Sequence, residues 1–547
     1  MDTSVKILGP DGLPYAPRRE RGSRASMLMG ASNTPYDAAD QRGDHMADWN
    51  PTLGSPDGEL NMYRDRIVSR VRDMVRNDGW ASGAVTRILD NAIGASFRPI
   101  FKPDYQALAA HTGIKAFDHV WADEYGQALE AAWRTWANDV GRYCDSQRNL
   151  TVTQIMRLAF RHKIIDGDAL AVLHWLPERV GEGRARYATT IQVVDPDRLS
   201  NPQLNFDAAS MRGGVEIDAH GAAIAYHIRK AHQGDYFSAS KAVTWERVAK
   251  ETGWGRPIVV HDFDHDRAAQ HRGGAGIFAP VLQRLKMLVK YDGAELDASI
   301  INAIFGAYIE SPFDPSMVEQ ALGDTSDLGA YQDSRASFHD ERKIKLGGAR
   351  MPILFPGESI NAVTAARPNS NFKDFEAAVL RNFAAGTGLS AQQVSNDWSD
   401  VNYSSARGAM LEAWKTLSRR RNDFAIGFGQ PIVCAFTEEA MEVDDLPLPS
   451  GAPPFTQFRS AYSRTKWMGP GRGIIDPVKE RQGAILGMDA GLSTLEDEAA
   501  ELGGVDWRET VAQRAIEIAR FKELGIPLPE WAAGFDAAEA INEPEAK

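Results

Sequence analysis

The sequence predicts a mostly helical α+β protein, and three observations carry that reading. Apolar residues recur at steps of three and four through long stretches on both sides of the middle of the chain, as on buried helix faces. Between residues 169 and 261 the pattern changes to short apolar-rich runs separated by turn residues, as in strands. The 547 residues are 43% hydrophobic, 25% charged and 9% aromatic, the proportions of a folded soluble protein and not of a fibrous or largely disordered one. At roughly 150 residues per domain, such a length predicts three or four compact units, or fewer with long excursions.

Residues 1–58 are rich in Gly, Pro, Ser, Asp and Arg without apolar periodicity, and Arg18, Arg19, Arg21 and Arg24 make them a flexible basic arm. A helical region over 59–168 follows. Met62, Ile67, Val71 and Val75 keep helical spacing, Asn77–Trp80 turns the chain, and Ala81–Ile93 forms a second helix. Trp121, Trp133 and Trp136 mark a helix over Asp118–Asn138, and one from Val152 to Ile165 leads into Asp166-Gly167-Asp168.

The β-containing region spans 169–275. Its expected strands are Ala169–Trp175, Thr189–Val194, Val215–Ile217, Ala223–Ile228, Val243–Val248 and Pro257–His261, with a hairpin turn at Asp218–Gly221. Gly276–Ile309 is the longest helical signal. Leu282, Leu285, Leu288, Leu296, Ile300 and Ile304 fall mostly at three- and four-residue steps, with a break at Gly293. About 30 residues at 1.5 Å each would reach ~45 Å.

Ser311–Arg350 is polar, turn-rich and longer than a compact domain normally tolerates. Over 351–440, a short strand and turn at Pro352–Glu358 precede helices near Phe372–Ala385 and Ser404–Asp423. In the region 441–547, the Gly/Pro stretch Trp467–Asp476 leads to helices at Pro477–Met488 and Trp507–Leu524, the last with Trp507, Val511, Ile518 and Phe521 on one stripe.

Charge and composition exclude several classes. Net charge is −13, from 61 Lys+Arg against 74 Asp+Glu, and Leu486–Lys547 alone holds 14 acids against 5 bases. Proteins that grip nucleic acid by its phosphates are basic over the binding face, so stable DNA binding is disfavoured while transient passage is not. The charge-free runs Phe424–Thr437 and Ala298–Ile309 fall short of the ~18–20 residues of a membrane span. An early acid and no apolar h-region argue against a secretory signal. Cys144 and Cys434 are too few for a disulfide framework or a thiolate zinc site, which fits a reducing cytoplasm.

Catalytic patterns are weak. Gly469-Pro470-Gly471-Arg472-Gly473 lacks the Lys and hydroxyl of a phosphate-binding loop and reads as a rigid turn; Gly273-Gly274-Ala275-Gly276 reads as a hinge. His261-Asp262-Phe263-Asp264-His265-Asp266 crowds metal-ligating types together, but it follows a strand, where i,i+4 positions do not converge, so it reads as a polar loop. Asp166-Gly167-Asp168 could hold a divalent cation; a strand-opening turn is the plainer reading. There is no Gly-x-Ser-x-Gly elbow, and no catalytic, cofactor-binding or metal-ligating residue is assigned. Arg419-Arg420-Arg421 closes a helix whose dipole favours cations there. Lys286 and Lys290, four apart on the polar side of the long helix, form either a solvated face or a surface for a polyanion.

An ordered series of short strings resembles the lambda-type tailed-phage portal proteins. It begins with Asn77-Asp78-Gly79-Trp80-Ala81 and Arg87-Ile88-Leu89-Asp90-Asn91. It continues through Asp166-Gly167-Asp168, Val194-Asp195-Pro196-Asp197-Arg198-Leu199, Gly221 with Ala225-Tyr226-His227, and Arg272-Gly273. Phe355-Pro356-Gly357-Glu358, Arg367-Pro368-Asn369, Asn371-Phe372 and Asn402–Arg407 complete it, so the match spans roughly Leu60–Ala440. One departure is Gly274, where the family pattern places a bulky residue after Gln-x-Arg-Gly.

The resemblance implies a ring of identical subunits, usually twelve, at one vertex of a viral capsid, made in the host cytoplasm. It implies a conduit for double-stranded DNA in packaging and ejection. The implied partners are the terminase packaging ATPase, the major capsid and scaffolding proteins, the head–tail adaptor and, transiently, DNA, with no cofactor and no membrane. In portal terms 59–168 and 351–440 resemble wing, 169–275 a clip, 276–310 a stem, 311–350 a segment with a tunnel loop, and 441–547 an acidic crown and tail. Lys286 and Lys290 would then face the channel. Two other readings stay open on the residues alone: a metal-dependent hydrolase or nuclease using His261–Asp266, and a non-ring minor capsid or scaffold protein.

Overall fold

Acidic or hydroxyl side chains cap the helices that begin at Gly79, Tyr105, His119 and Val152. In the computed structural model, which describes residues 37–39, 48–274, 276–304, 308–310, 333–334, 337–338, 343–346, 349–352, 359–361, 372–399 and 401–529, residues 1–55 and 56–547 form separate units. The basic arm lies largely outside the described residues, so the following concerns 56–547.

Helices α1 (Arg64–Asn77) and α2 (Gly79–Ala92) are separated by a single residue, Asp78, whose side chain accepts from Ala81 N at 2.8 Å and so starts α2 at once. The buried stripe of α1 is Arg64, Val68, Val71, Met74 and Val75, whereas Met62 is 72% exposed. Strand β1 (Arg98–Phe101), α3 (Tyr105–Thr112), α4 (His119–Ala137) and α5 (Val152–Asp166) follow. A capping box between Thr151 and Gln154 opens α5, and Gly167 in the left-handed region closes it.

Seven strands then run through the insert: β2 (Asp168–Trp175), β3 (Thr189–Val193), β4 (Met211–Arg212), β5 (Val215–Ile217), β6 (Ala223–Arg229), β7 (Trp245–Ala249) and β8 (Val259–Phe263). β2 lies between β3 and β8, antiparallel to both, and β4 to β7 form an antiparallel meander. β2 reads as an unbroken apolar run because both its faces are buried. Ala169, Ala171 and Leu173 join the main core with the helices, while Leu170 and Val172 face a second core with Val215, Tyr226 and Ile228. The insert therefore shares its core with the helical body.

The long helix α6 spans Leu282–Ile304, 23 residues, about 35 Å. It starts later than the apolar spacing suggests because Gly276 has φ 69° and Pro280 sits in the preceding turn, and it runs straight through Gly293. Strands β9 (Tyr308–Glu310), β10 (Lys343–Leu346), β11 (Ala349–Pro352) and β12 (Ser359–Asn361) follow, with β10 paired to β11 and β9 to β12. Most of 311–350 and of Pro352–Glu358 lies outside the described residues.

Helix α7 (Phe372–Thr387) returns antiparallel to α6. Tyr291 packs on Phe372 and Phe375 with centroids 5.7 and 5.0 Å apart, and Phe278, just before α6, meets Phe383 at 5.7 Å. After the short α8 (Ala391–Ser395), α9 (Tyr403–Phe424) passes through a π-turn, Ala425–Gly429, into α10 (Gln430–Val443). Pro431 has no N–H for the carbonyl four residues back, and the wider turn absorbs that loss. Strand β13 (Thr465–Met468) pairs antiparallel with β1, and α11 (Pro477–Asp489) and α12 (Trp507–Leu524) complete the described chain. The expected stripe on α12 does not find a core: none of its residues is buried, and its first turn is held by Arg508 on Glu130 (3.0 Å) and Glu509 on Arg98 (2.7 Å).

Candidate functional site

Four of the strings singled out in the sequence meet at one buried point. Asp168, the first residue of β2, is fully buried and accepts four hydrogen bonds. Arg64 Nη2 (2.9 Å) and Arg272 Nε (3.0 Å) reach Oδ2, and His261 Nε2 (2.9 Å) and Gly273 N (2.6 Å) reach Oδ1. One carboxylate thus ties α1, β2, β8 and the segment leading to α6. Arg272 extends the junction into the meander through the carbonyls of Leu199 (2.7 Å) and Gly213 (2.6 Å).

A second ring of charge flanks the first. Arg72 on α1 donates to Asp166 (2.7 Å), Asp197 (2.6 Å) and Asp195 (2.9 Å), and His162 Nδ1 lies 2.6 Å from Asp166. Donor atoms of His162, Asp166 and Asp195 are close enough to share a metal ion, yet the Arg72 guanidinium already lies on both carboxylates.

Electrostatics stabilise this arrangement. Burial opposes ionisation of Asp168, but Arg272, Arg64 and His261 outweigh it and hold the carboxyl well below its usual range. Burial lowers His261 and, with the smaller repulsion of Arg272 and Arg64, outweighs the pull of Asp168, so His261 is a neutral imidazole donating through Nε2. Arg72 loses solvation but is held charged by Asp166, Asp195 and Asp197.

The backbone at the junction requires glycine. Gly167 has φ 88°, and a Cβ there would lie 1.5 Å from the Gly274 carbonyl oxygen; one on Gly276 would lie 2.4 Å from that of Ile165. The glycine run before α6 is therefore a close crossing of two chain segments and not the hinge its composition suggested. Gly274 is the partner in that crossing.

The His261–Asp266 string disperses. Strand alternation sends His261 to Asp168 and Asp262 to the opposite face, where Lys163 meets Asp262 at 2.8 Å and Asp264 at 3.0 Å. His265 stacks on Phe263 at 4.3 Å. Burial pushes the Asp262 carboxyl up to about 6, Lys163 notwithstanding. Arg419, Arg420 and Arg421 also part ways: to Asp423 (3.0 Å), the Thr387 carbonyl (2.7 Å) and the Pro470 carbonyl (2.9 Å). Lys286 and Lys290 are both exposed on α6, and Lys286 offsets part of the burial of the α2 cap, Asp78.

Sequence reasoning missed Arg64 and Arg72 because charges on a helix default to the solvent face. The signal was phase: Arg64 falls four and seven residues before Val68 and Val71, on the apolar stripe itself. The junction has no nucleophile or open carboxylate. It locks the insert and the start of α6 to the helical body.

Comparison with known proteins agrees with the strings that build this junction. The family model "Phage portal protein, lambda family" matches residues 42–421. The portal protein of Escherichia phage N15 is 32% identical over 512 residues, 92% of this chain and 93% of the relative. Portal protein B of Escherichia phage lambda is 32% identical over 498 residues, 90% of each. Among solved structures, a chain from the virion of a native gene transfer agent particle aligns over 82% of this chain and 94% of its own length, with 13% identity and a TM-score of 0.42. With a family match over residues 42–421 and full-length relatives at 32% identity, the chain belongs to the lambda family of phage portal proteins.

Proposed function

We propose that this chain acts as a ring of identical subunits, about twelve, at a unique capsid vertex of the virion. The ring would pass double-stranded DNA, dock the terminase motor during packaging and later join the tail connector. The observation that carries this reading is the full-length similarity to two phage portal proteins. The role is structural, with no catalytic step. Closed rings need heterologous contacts, in which one face of a subunit meets a different face of the next.

The geometry supports one change in how portal regions are assigned. The antiparallel pair α6/α7 carries 305–371 at its far end, and β9 and β12 join the two sides of that excursion. We place the stem in α6/α7 and the clip in 305–371. The insert 169–275 shares its core with the helices, which favours the wing instead of the clip. Helices α11 and α12, set in the acidic C-terminal region, form the crown. A net charge of −13 per chain keeps DNA from sticking, while Lys286 and Lys290, repeated by symmetry, guide the duplex along the stem. Native mass measurement tests the ring: a particle of about a dozen chains is expected, and a monomer at every concentration would overturn it. Lys286→Glu with Lys290→Glu should lower DNA packaging with the ring intact; unchanged packaging would remove both lysines from the channel.

A further inference from the structure

The two insert sheets and α10 enclose a groove of about 1220 Å³, larger than the roughly 300–1,000 Å³ of small-molecule pockets. Val172, Val194, Ile228 and Val248 make its floor apolar. Trp175 and Trp254 stand at its mouth, 54% and 61% exposed. They are held in place by Arg256, which stacks on Trp175 at 5.0 Å and donates to Glu438 at 2.8 Å, and Glu438 also accepts from Trp254 Nε1 at 2.8 Å.

One wall of the groove carries positive charge that no direct ion pair neutralises. Arg198 donates to the carbonyls of Arg229 (2.8 Å) and Lys230 (3.3 Å). Arg229, only 5% exposed, donates to Ser200 Oγ (3.0 Å) and Gln233 Oε1 (3.4 Å) and lies over the Trp245 ring. Lys230 is exposed on the same wall. Among the described residues no carboxylate forms an ion pair with any of the three; Asp195, and after it Glu246 on the opposing strand, act on Arg198 at longer range. A guanidinium whose direct hydrogen bonds go to neutral acceptors retains attraction for an anion.

We propose that this groove is a peptide-docking site for an acidic segment with aromatic anchors, and that its occupant is the chain's own C-terminal segment, residues 530–547. That segment lies outside the described residues and has the matching chemistry. Glu530, Asp536, Glu539, Glu543 and Glu545 stand against Lys547 alone, and Trp531 and Phe535 supply two large apolar side chains four residues apart. Rigid tryptophans around an apolar floor are the usual setting for such anchors, and the cationic wall fixes which end of the segment lies where. The arginine-bearing arm near the N-terminus would bring like charge to that wall.

The test uses the full chain and a fluorescein-labelled peptide of residues 530–547. On this proposal the wild-type groove is filled by its own tail, and Trp531→Ala with Phe535→Ala removes both anchors. The vacated chain should bind the peptide about tenfold tighter than the wild type, roughly 1.4 kcal/mol by the constant relating affinity to free energy. Adding Lys230→Glu, a substitution at an exposed position, should cost about five- to tenfold of that affinity and flatten its salt dependence. The docking site is refuted if neither chain binds the peptide, or if Lys230→Glu and Trp254→Ala both leave binding unchanged. It is equally refuted if a peptide with its acids replaced by amides binds as well, or if a peptide of residues 10–27 binds better.

Discussion

Replacing Asp168 by Asn tests the buried junction with almost no change in shape. The carboxylate accepts from two guanidiniums on Oδ2 and from His261 and Gly273 on Oδ1. An amide must place its NH₂ against one of these donor pairs. It also leaves Arg64 and Arg272, 3% and 2% exposed, side by side without the carboxylate they share, with only the longer contacts of Arg64 to Asp65 (3.7 Å) and Asp197 (4.0 Å) remaining. Removing one partner of a buried pair costs about 3–5 kcal/mol, because the remaining charge stays desolvated. Unfolding entropy of about 2.1 cal/mol/K per residue gives a unit of nearly 500 residues roughly 1 kcal/mol per degree, so the melting temperature should drop about 3–5 °C. Proteolysis between β8 and α6 should accelerate, since the strap through Arg272 and Gly273 loses its anchor. A melting temperature within about 1 °C of wild type, equivalent to about 1 kcal/mol on the same scale, would refute the claim that this carboxylate holds the insert and α6 to the body.

Three further outcomes follow from the same geometry. Gly167→Ala should fail to give folded protein, since its Cβ would sit 1.5 Å from the Gly274 oxygen, whereas Gly113→Ala, at φ 74° in open space, should cost only about 1–2 kcal/mol by thermal melting. Glu439→Gln should destabilise by about 1–3 kcal/mol in denaturant titration, because the buried carboxylate accepts from Ala188 N, Thr189 N and Thr189 Oγ1, and an amide would set a donor against donors. The pH profile should bend twice. Asp168, Asp166 and Asp195 are held below their unfolded values, so their stabilisation is present above about pH 4 and is lost as pH falls further. Asp262, pushed up to about 6, works the other way: the folded state binds the extra proton, and stability rises as pH falls toward about 4. Asp262→Asn should abolish that rise, which is on the order of 2 kcal/mol, when melting is followed from pH 7 to 4.5.

Elements with strong local signals were legible from the chain alone. The box at Thr151 and Gln154 opens α5 where the spacing predicts, β5 (Val215–Ile217) and its turn at Asp218–Gly221 appear as expected, and α12 has the predicted limits. β1 and β13 were missed because each has four residues and they pair across more than 360 positions, with no local pattern to announce either. Helix α10 was seen only as a charge-free run, since Phe436 and its neighbours are apolar on every side and show no period. At the junction, the strings containing Asp168, Asp195 and Arg272 were picked out separately, but their convergence was not visible, because it depends on α1 crossing α5 and on an alternating strand splitting His261 from Asp262. The exposed lysines of α6 were found by spacing alone, which places them on a face without saying what that face meets.

The close crossing of Gly167 with Gly273 and Gly274 means that the insert leaves the body and comes back to it at one spot. Between Asp168 and Arg272 the sheet of β2, β3 and β8 belongs to the shared core, whereas the β4–β7 meander packs in the second core and can change in length without moving what precedes or follows the insert. The Ile277 amide takes up the carbonyl of Ile164. The long helix thus inherits its heading from α5, as if the hundred residues between them had never been spelled out. A lineage could lengthen, trim or resurface that meander while α6 kept its direction.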